Sequence, residues 1–309
     1  MKLRNVLAAA AGSVGVAAVT NRALAASADG LAVPLEGSHE RYRWRGFDVA
    51  YTEAGDPTDP DLVLVHGVNA AASSHEFREV FDALAEEYHV VAPDLPGFGH
   101  SDRPALLYSA PLYVTFLRDV LDDVAEDPAV VASSLSGAYA AKAAEDASVD
   151  RLLLVCPTDE SAPGRRVWLR SLLRSPVVGQ ALFNGLVSKR SIRHFHADHG
   201  YYDLRKLRPE TVDYEWTSAH QPGARYAPAS FVAGFLDPAF DLADVLGDLD
   251  APTTLVWGRE ADLPPLSAGH ELAERADARL VVVDESRLLP HVEHPAEFVD
   301  VVSERYGRE

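Results

Sequence analysis

The sequence predicts an α/β protein in which a mostly parallel central sheet carries helices on both faces. From about Glu40 onward, short β-branched runs alternate with segments of helical periodicity, which is the pattern of βα units. This alternation stops between Pro157 and Pro252, where the periodicity is helical and no core strand is evident. We therefore expect residues 158–251 to form a helical cap inserted between late strands.

Each element of this scheme depends on a local pattern of apolar, Gly and Pro residues. Residues 41–44 and 47–53 predict an opening hairpin that turns at Gly46. Further strands are expected at 61–66, 89–93, 129–133, 151–156, 253–257 and 280–284. Apolar residues at helical spacing predict helices around 77–84, 116–124, 136–145, 266–276 and 295–306.

Composition excludes several classes of protein. The 309 residues are 47% apolar and 24% charged, which is ordinary for a globular protein. The net charge of −19 argues against nucleic-acid binding, which needs a positive surface, and is typical of a halophilic protein kept soluble in concentrated salt. The alternative is an acidic protein that functions at an ordinary salt concentration. Because Cys156 is the only cysteine, no intrachain disulfide and no cysteine cluster for zinc are expected.

The N-terminal 34 residues are predicted to stand apart from the fold. Lys2 and Arg4 precede a weakly apolar run over 6–19, and Ala-Leu-Ala at 23–25 has the spacing of a signal-cleavage site. A signal or anchor is one interpretation, and an alanine-rich surface helix or a disordered tail is the other. Localisation thus stays open between cytoplasmic and membrane-associated or exported. The predicted units are 1–34, a core of 35–157 with 252–309, and the cap.

Three blocks follow each other in the core: VLVHG at 63–67, DLPGFGHSDRP at 94–104 and VVASSLSG at 130–137. Together they resemble the α/β-hydrolase superfamily, in its esterase, lipase and epoxide-hydrolase-like branch with a helical cap. The resemblance covers residues 40–305. It implies an α/β-hydrolase fold and no cofactor, and the sequence contains no metal, nucleotide or flavin motif.

The third block implies a serine nucleophile. In this family the nucleophile lies on a strained turn between a strand and a helix, flanked by small residues. Here that turn places Ser134 at the nucleophile position, with Ala132 and Ser136 where glycines are usual. By the same resemblance, the amides of Val68 and Leu135 form the oxyanion hole. His66, in the first block, is normally structural in this family.

The residue at the position of the catalytic base differs from the family pattern. The usual motif is G-H-L-P-H-x-E-x-P, with the catalytic base at its first histidine, and the corresponding residues here are Arg287 and Leu288. A leucine cannot move a proton. His291, three residues on and in the first turn of a helix, would reach the site only through a rearranged loop. The other candidates are three cap histidines, His194, His196 and His199.

The orienting acid is displaced as well. The family places an aspartate three residues after the strand-ending Gly258, where this chain has Ala261. Asp262 is the favoured replacement, with Glu260 beside it. The remaining alternatives follow an earlier strand and are Asp159 and Glu160.

The cap combines basic and apolar residues. Between Arg165 and Arg208 ten basic residues face only Asp198 and Asp203, a local excess of positive charge in an acidic chain. Such a segment suits an anionic membrane surface or an anionic substrate; pairing with the acidic core is the alternative. Aromatic residues farther along the cap predict an apolar pocket over Ser134, and so a small hydrophobic substrate.

These observations predict a serine hydrolase of hydrophobic carboxylic esters or related substrates, with Ser134, Asp262 and His291 as catalytic residues. The alternative is a non-catalytic relative that binds a hydrophobic ligand, because Leu288 occupies the usual histidine position. Cofactor-free C–C cleavage or perhydrolysis, which also occurs on this fold, stays open.

Overall fold

The computed structural model describes residues 2–28, 30–161 and 164–304, with the backbone alone for residues 2–14. Its centre is an eight-stranded sheet in the order β1-β2-β4-β3-β5-β6-β7-β8. The pairs β1/β2 and β2/β4 are antiparallel and the others are parallel. The strands are β1 Ser38–Trp44, β2 Phe47–Ala54, β3 Asp61–Val65, β4 His89–Pro93, β5 Ala129–Ser133, β6 Arg151–Val155, β7 Thr253–Gly258 and β8 Arg279–Val283.

Helices cover both faces of this sheet. In β3, Leu62 and Leu64 belong to one buried cluster, whereas Val63 and Val65 belong to the other. The alternation shows that both faces are packed, as expected of a parallel sheet. The helices outside the cap are α1 Lys2–Ser27, α2 Phe81–Leu84, α3 Ala110–Val124, α4 Leu135–Ala143, and, after the cap, α11 Leu266–Ala276, α12 Pro290–Glu293 and α13 Pro295–Ser303.

The regular elements described between β6 and β7 are all helical. They are α5 Val167–Arg174, α6 Val178–Leu186, α7 Lys189–Phe195, a π-helical turn His196–Gly200, a short 3-10 turn Leu204–Lys206, α8 Pro209–Ala219, α9 Tyr226–Val232 and α10 Leu242–Asp248. We keep the name cap for residues 158–251. The division into a core and a cap domain stays a prediction.

Most predicted strand boundaries agree with the structure to within three residues, but one predicted helix is wrong. Residues 77–84 form the end of a 3-10 turn, Ser74–Phe77, followed by the four-residue α2. Apolar side chains at helical spacing are buried there without one continuous helix. The predicted end of the last helix, residue 306, lies outside the described residues.

The N-terminal segment forms α1, which packs on cap helix α6. Asn21 donates from Nδ2 to the Val177 carbonyl, 2.9 Å away, and its Oδ1 accepts from Asn184 Nδ2 at 3.0 Å. None of the helices in the described ranges has both the length and the hydropathy needed to span a bilayer.

Candidate active site

Ser134 lies in a strained turn between β5 and α4. Its backbone angles are φ 54° and ψ −129°, a conformation that residues other than glycine seldom adopt. The Ser134 amide donates to the Val155 carbonyl at 2.8 Å, which holds the turn against β6. The turn is close-packed as well, since a Cβ on Gly137 would lie 2.9 Å from Pro157 Cβ. The surrounding structure therefore maintains the strained conformation.

The loop after β3 lies directly beside this turn. A Cβ placed on Gly67 would be 3.5 Å from Ser134 Cβ, and Ser136 Oγ donates to the His66 carbonyl at 2.7 Å. The Leu135 amide begins α4 and so has no acceptor within that helix. Val68 and Leu135 both line the same cavity as Ser134.

His66 is fully buried and holds the neighbouring loop together. Its Nε2 accepts from the Leu95 amide at 3.0 Å, and its Nδ1 lies 2.7 Å from the Gly67 carbonyl. Both ring nitrogens are therefore engaged with backbone atoms. The ring supports the turn that carries Val68.

The structure does not place His291 at the cavity that holds Ser134. Its ring is fully buried, with ring centroids 5.4 Å from Phe77 and 5.6 Å from Phe298. Its Nε2 lies 3.3 Å from Glu76 Oε1. The expected loop rearrangement is absent from the described residues, because His291 remains within the short helix α12. His291 lies away from the cavity because it is paired with the buried carboxylate of Glu76.

Asp262 is instead paired with a cap histidine. His199 Nδ1 lies 3.0 Å from Asp262 Oδ1, and both side chains are partly exposed. The His199 carbonyl accepts from the Leu288 amide at 3.3 Å, so this histidine is next to the residue that replaces the family base. His199 and Leu288 both line the cavity with Ser134.

The other candidate acids have different surroundings. Glu260 accepts the Ser286 amide at 3.0 Å, and Asp159 accepts the Leu242 amide at 3.1 Å, so both fasten backbone segments. Glu160 lines the cavity, where its own amide is bonded to Thr158 Oγ1. In the described residues, the structure gives none of these three a histidine partner.

Three further histidines line the cavity. His196 Nε2 is 2.9 Å from both carboxylate oxygens of Glu215, and His194 Nε2 is 3.3 Å from Asp198. His75 stacks on Tyr214 with ring centroids 4.0 Å apart. Burial, assisted by nearby Arg78, lowers the pKa of His75 to about 3. His75 is therefore neutral at ordinary pH and a weak base.

The cavity has a volume of about 610 Å³ and a mostly apolar wall. Of the cap aromatics expected over Ser134, Tyr201 and Phe231 line it, whereas Tyr214 is instead stacked on His75. Among the described residues, no group of three or more His, Cys, Asp or Glu side chains is arranged to hold a metal ion. The apolar wall residues include Ala71, Leu186, Val187, Ile192, Val232, Leu263, Leu289 and Val292.

The sequence matches the model of the alpha/beta hydrolase family over residues 62–301. The protein therefore belongs to the α/β-hydrolase family. That membership places it in the hydrolase class of enzymes, and esterases are among its relatives.

Two relatives and one solved structure illustrate the similarity. The chain is 28% identical over 263 residues to a pimeloyl-(acyl-carrier protein) methyl ester esterase of Aeromonas hydrophila, covering 80% of this chain and 96% of the relative. It is 27% identical over 260 residues to a 2-hydroxymuconate semialdehyde hydrolase of a Pseudomonas species, covering 79% and 85%. Naproxen esterase from Bacillus subtilis matches with a TM-score of 0.68 at 19% identity, covering 94% and 96%, a likeness of fold alone.

Proposed function

We propose that the protein hydrolyses hydrophobic carboxylic esters through an acyl-enzyme at Ser134. The observation that carries this proposal is the strained turn that presents Ser134 to a cavity at the start of α4. The strain costs about 1–3 kcal/mol and persists only where the surrounding structure maintains it, which is typical of functional sites. The esterase relative at 28% identity supports the same reaction class.

The cavity wall supports the substrate class. A volume of about 610 Å³ suits a small acyl or alkyl ester, and the wall is largely aliphatic. Burial of an apolar acyl chain would contribute about 25 cal/mol per Å² of surface removed from water.

Chemically, the Ser134 hydroxyl attacks the ester carbonyl, and the resulting oxyanion accepts hydrogen bonds from the Val68 and Leu135 amides. The positive end of the α4 dipole stabilises the same developing charge. Departure of the alcohol leaves an acyl-enzyme, which water then hydrolyses to release the acid.

A fluorophosphonate probe tests this proposal, because it labels only an activated serine. We expect the purified protein to be labelled, and Ser134→Ala to abolish both the labelling and the hydrolysis of short p-nitrophenyl esters. Ser267→Ala, which removes an exposed serine of α11, is the matched control and should behave as wild type. Unchanged hydrolysis by Ser134→Ala would refute the proposal.

One observation favours a second function. Leu288, at the family's histidine position, is an apolar part of the cavity wall, which suits non-catalytic binding of a hydrophobic ligand. A folded wild-type protein that resists the probe, yet binds a fluorescent fatty acid in competition with apolar esters, would support this function.

We also propose that the cap contacts an anionic membrane surface. The exposed residues of α6 are Val178, Leu182, Gly185 and Leu186, one apolar face, and nearby Trp168 of α5 is 66% exposed. Some cap cations are paired, as Arg208 is with Glu79 of the core. In the described part of the chain, no ion pair is formed by Arg165, Arg166, Arg190 or Arg193. Apolar side chains beside unpaired arginines suit anionic headgroups.

A further inference from the structure

We infer that His199 of the cap is the general base for Ser134 and that Asp262 is its positioning residue. This inference rests on the proposed hydrolase function at Ser134. It assigns to the cap a role that family members assign to the loop position now occupied by Leu288.

His199 and Asp262 form a pair of imidazole and carboxylate. A carboxylate accepts the hydrogen from an imidazole Nδ1, so the 3.0 Å contact between His199 and Asp262 fixes the tautomer with a bare Nε2. That nitrogen is the one that takes a serine proton in a Ser-His-Asp arrangement. His199 and Ser134 line one cavity, and a role as general base requires that the ring reach the Ser134 hydroxyl when a substrate is bound.

The cap turn that carries His199 is firmly attached to the core loop that carries Arg287 and Leu288. Leu288 donates to the His199 carbonyl, and the Arg287 guanidinium donates to the carbonyls of Ala197 and Asp198. The buried Glu293 carboxylate accepts the amides of Tyr202, Asp203 and Arg287 at 3.0–3.1 Å. The turn that carries His199 is therefore fastened to the loop that carries Leu288. It also belongs to a π-helical turn, a rare form frequent at functional sites.

The other histidines near the cavity are unsuited to act as the base. His196 uses Nε2 on Glu215, and its Nδ1 faces its own turn, since a Cβ on Gly200 would lie 2.7 Å from that nitrogen. His194 is largely solvent-exposed. His75 is a weak base, as described above, and His291 is enclosed with Glu76.

His199, Ser134, the ester and one water molecule account for every proton transferred in the reaction. His199 Nε2 takes the Ser134 proton as Oγ bonds to the carbonyl carbon. The same proton passes to the leaving alkoxide as the ester C–O bond breaks. A water molecule then gives one proton to Nε2 while its oxygen bonds to the acyl carbon. Collapse of that intermediate releases the acid, and Nε2 returns its proton to Ser134 Oγ.

The test measures fluorophosphonate labelling rate and ester hydrolysis in wild type, His199→Ala, His199→Gln and Ser134→Ala. His270→Ala, which removes an exposed histidine of α11, is the matched control. We expect both His199 variants to lose about 10²–10⁴-fold in rate, the usual contribution of a general base, with circular dichroism unchanged. Added imidazole should restore part of the His199→Ala rate and none of the Ser134→Ala rate, a result that a merely structural role would not give.

Asp262→Asn tests the positioning role, with Asp262→Glu as the conservative variant. Asparagine can turn its NH2 group toward Nδ1, so the tautomer with a bare Nε2 is no longer favoured. We expect kcat to fall roughly tenfold or more while KM changes little, and Asp262→Glu to recover much of the rate. An unchanged kcat in Asp262→Asn would overturn the role of Asp262.

The outcomes separate the two proposals. If His199→Ala and His199→Gln label at the wild-type rate while Ser134→Ala does not label, the base assignment is overturned and the hydrolase function stands. If folded wild-type protein neither labels nor hydrolyses esters, the hydrolase function fails and the base assignment fails with it.

Discussion

His291 Nε2 lies 3.3 Å from Glu76 Oε1 in the interior, and the other oxygen of Glu76 accepts the Gly67 amide at 2.9 Å. Burial, the largest influence, raises the pKa of the Glu76 carboxyl, but the combined attraction of His291, the Ser133 hydroxyl and His66 outweighs it and the pKa is lowered. The pair thus joins α12 to the loop that carries Val68. We interpret it as support for that loop, whose Val68 amide is proposed to form part of the oxyanion hole.

Glu76→Gln should destabilise the fold, because it leaves His291 without its charge partner. Breaking one partner of a buried pair typically costs about 3–5 kcal/mol, which urea unfolding at pH 7 would measure. Glu271→Gln, at an exposed carboxylate of α11, is the control. A loss below about 1 kcal/mol would contradict the interpretation, since exposed pairs contribute no more than that.

The same pair predicts how stability depends on pH. A carboxyl whose pKa is lower in the folded than in the unfolded state stabilises the fold at pH values above the unfolded pKa. For Glu76 this contribution is therefore complete at neutral pH and is lost as the pH falls below about 4.5 through the folded value. Urea midpoints measured from pH 7 to pH 3 should fall more steeply for wild type than for Glu76→Gln. Parallel curves would exclude this contribution.

Gly137→Ala should disturb the nucleophile turn through packing alone. The added methyl would meet Pro157 Cβ at 2.9 Å, and overpacking of this kind costs typically about 1–3 kcal/mol. We expect a lower midpoint in urea together with a slower labelling of Ser134. Gly185→Ala is the control, because a Cβ there meets nothing within 4 Å. Equal effects of the two substitutions would argue against a close-packed turn.

Membrane contact can be tested by vesicle flotation. We expect binding to vesicles of 70% phosphatidylcholine and 30% phosphatidylglycerol and weaker binding to phosphatidylcholine alone, since unpaired arginines favour anionic headgroups. Trp168→Ser with Leu182→Ser should reduce binding several-fold by removing the apolar contact. The matched pair Val16→Ser with Val19→Ser alters exposed residues of α1 and tests the N-terminal contribution. Equal recovery with both vesicle compositions would contradict the electrostatic part.

The net charge predicts a dependence on salt. We propose that the protein is halophilic, because salt screens the self-repulsion that a charge of −19 imposes on the compact state. Far-UV circular dichroism should show loss of structure on dialysis from concentrated KCl into a buffer of low ionic strength. An unchanged spectrum would exclude the salt requirement.

Local sequence patterns were sufficient to predict most of the strands and helices of the fold. Strands β3 to β8 follow short apolar runs that end near Gly, Pro or Asp, whereas the turn at Ser134 was implied by the family resemblance. The helix predicted over 77–84 failed because burial at helical spacing does not require a continuous helix.

The site was harder to predict, because its polar pairs join distant parts of the chain. His199 and Asp262 are 63 residues apart, and no local periodicity relates a cap turn to the end of β7. The Glu76–His291 pair had no sequence signal either, since Glu76 lies among small and polar residues that predict only a loop. Such pairings depend on tertiary packing, which single-sequence patterns do not encode.

The attachment of the cap turn to the Arg287–Leu288 loop has a consequence for how this enzyme can be altered. Where the base lies on the core loop, an exchanged cap would leave the catalytic set in place. In this chain the proposed base would be carried away with the exchanged segment. A chimera with a foreign cap should therefore need a histidine at position 288 to be active. The cap and the core of this protein would otherwise have to be exchanged together.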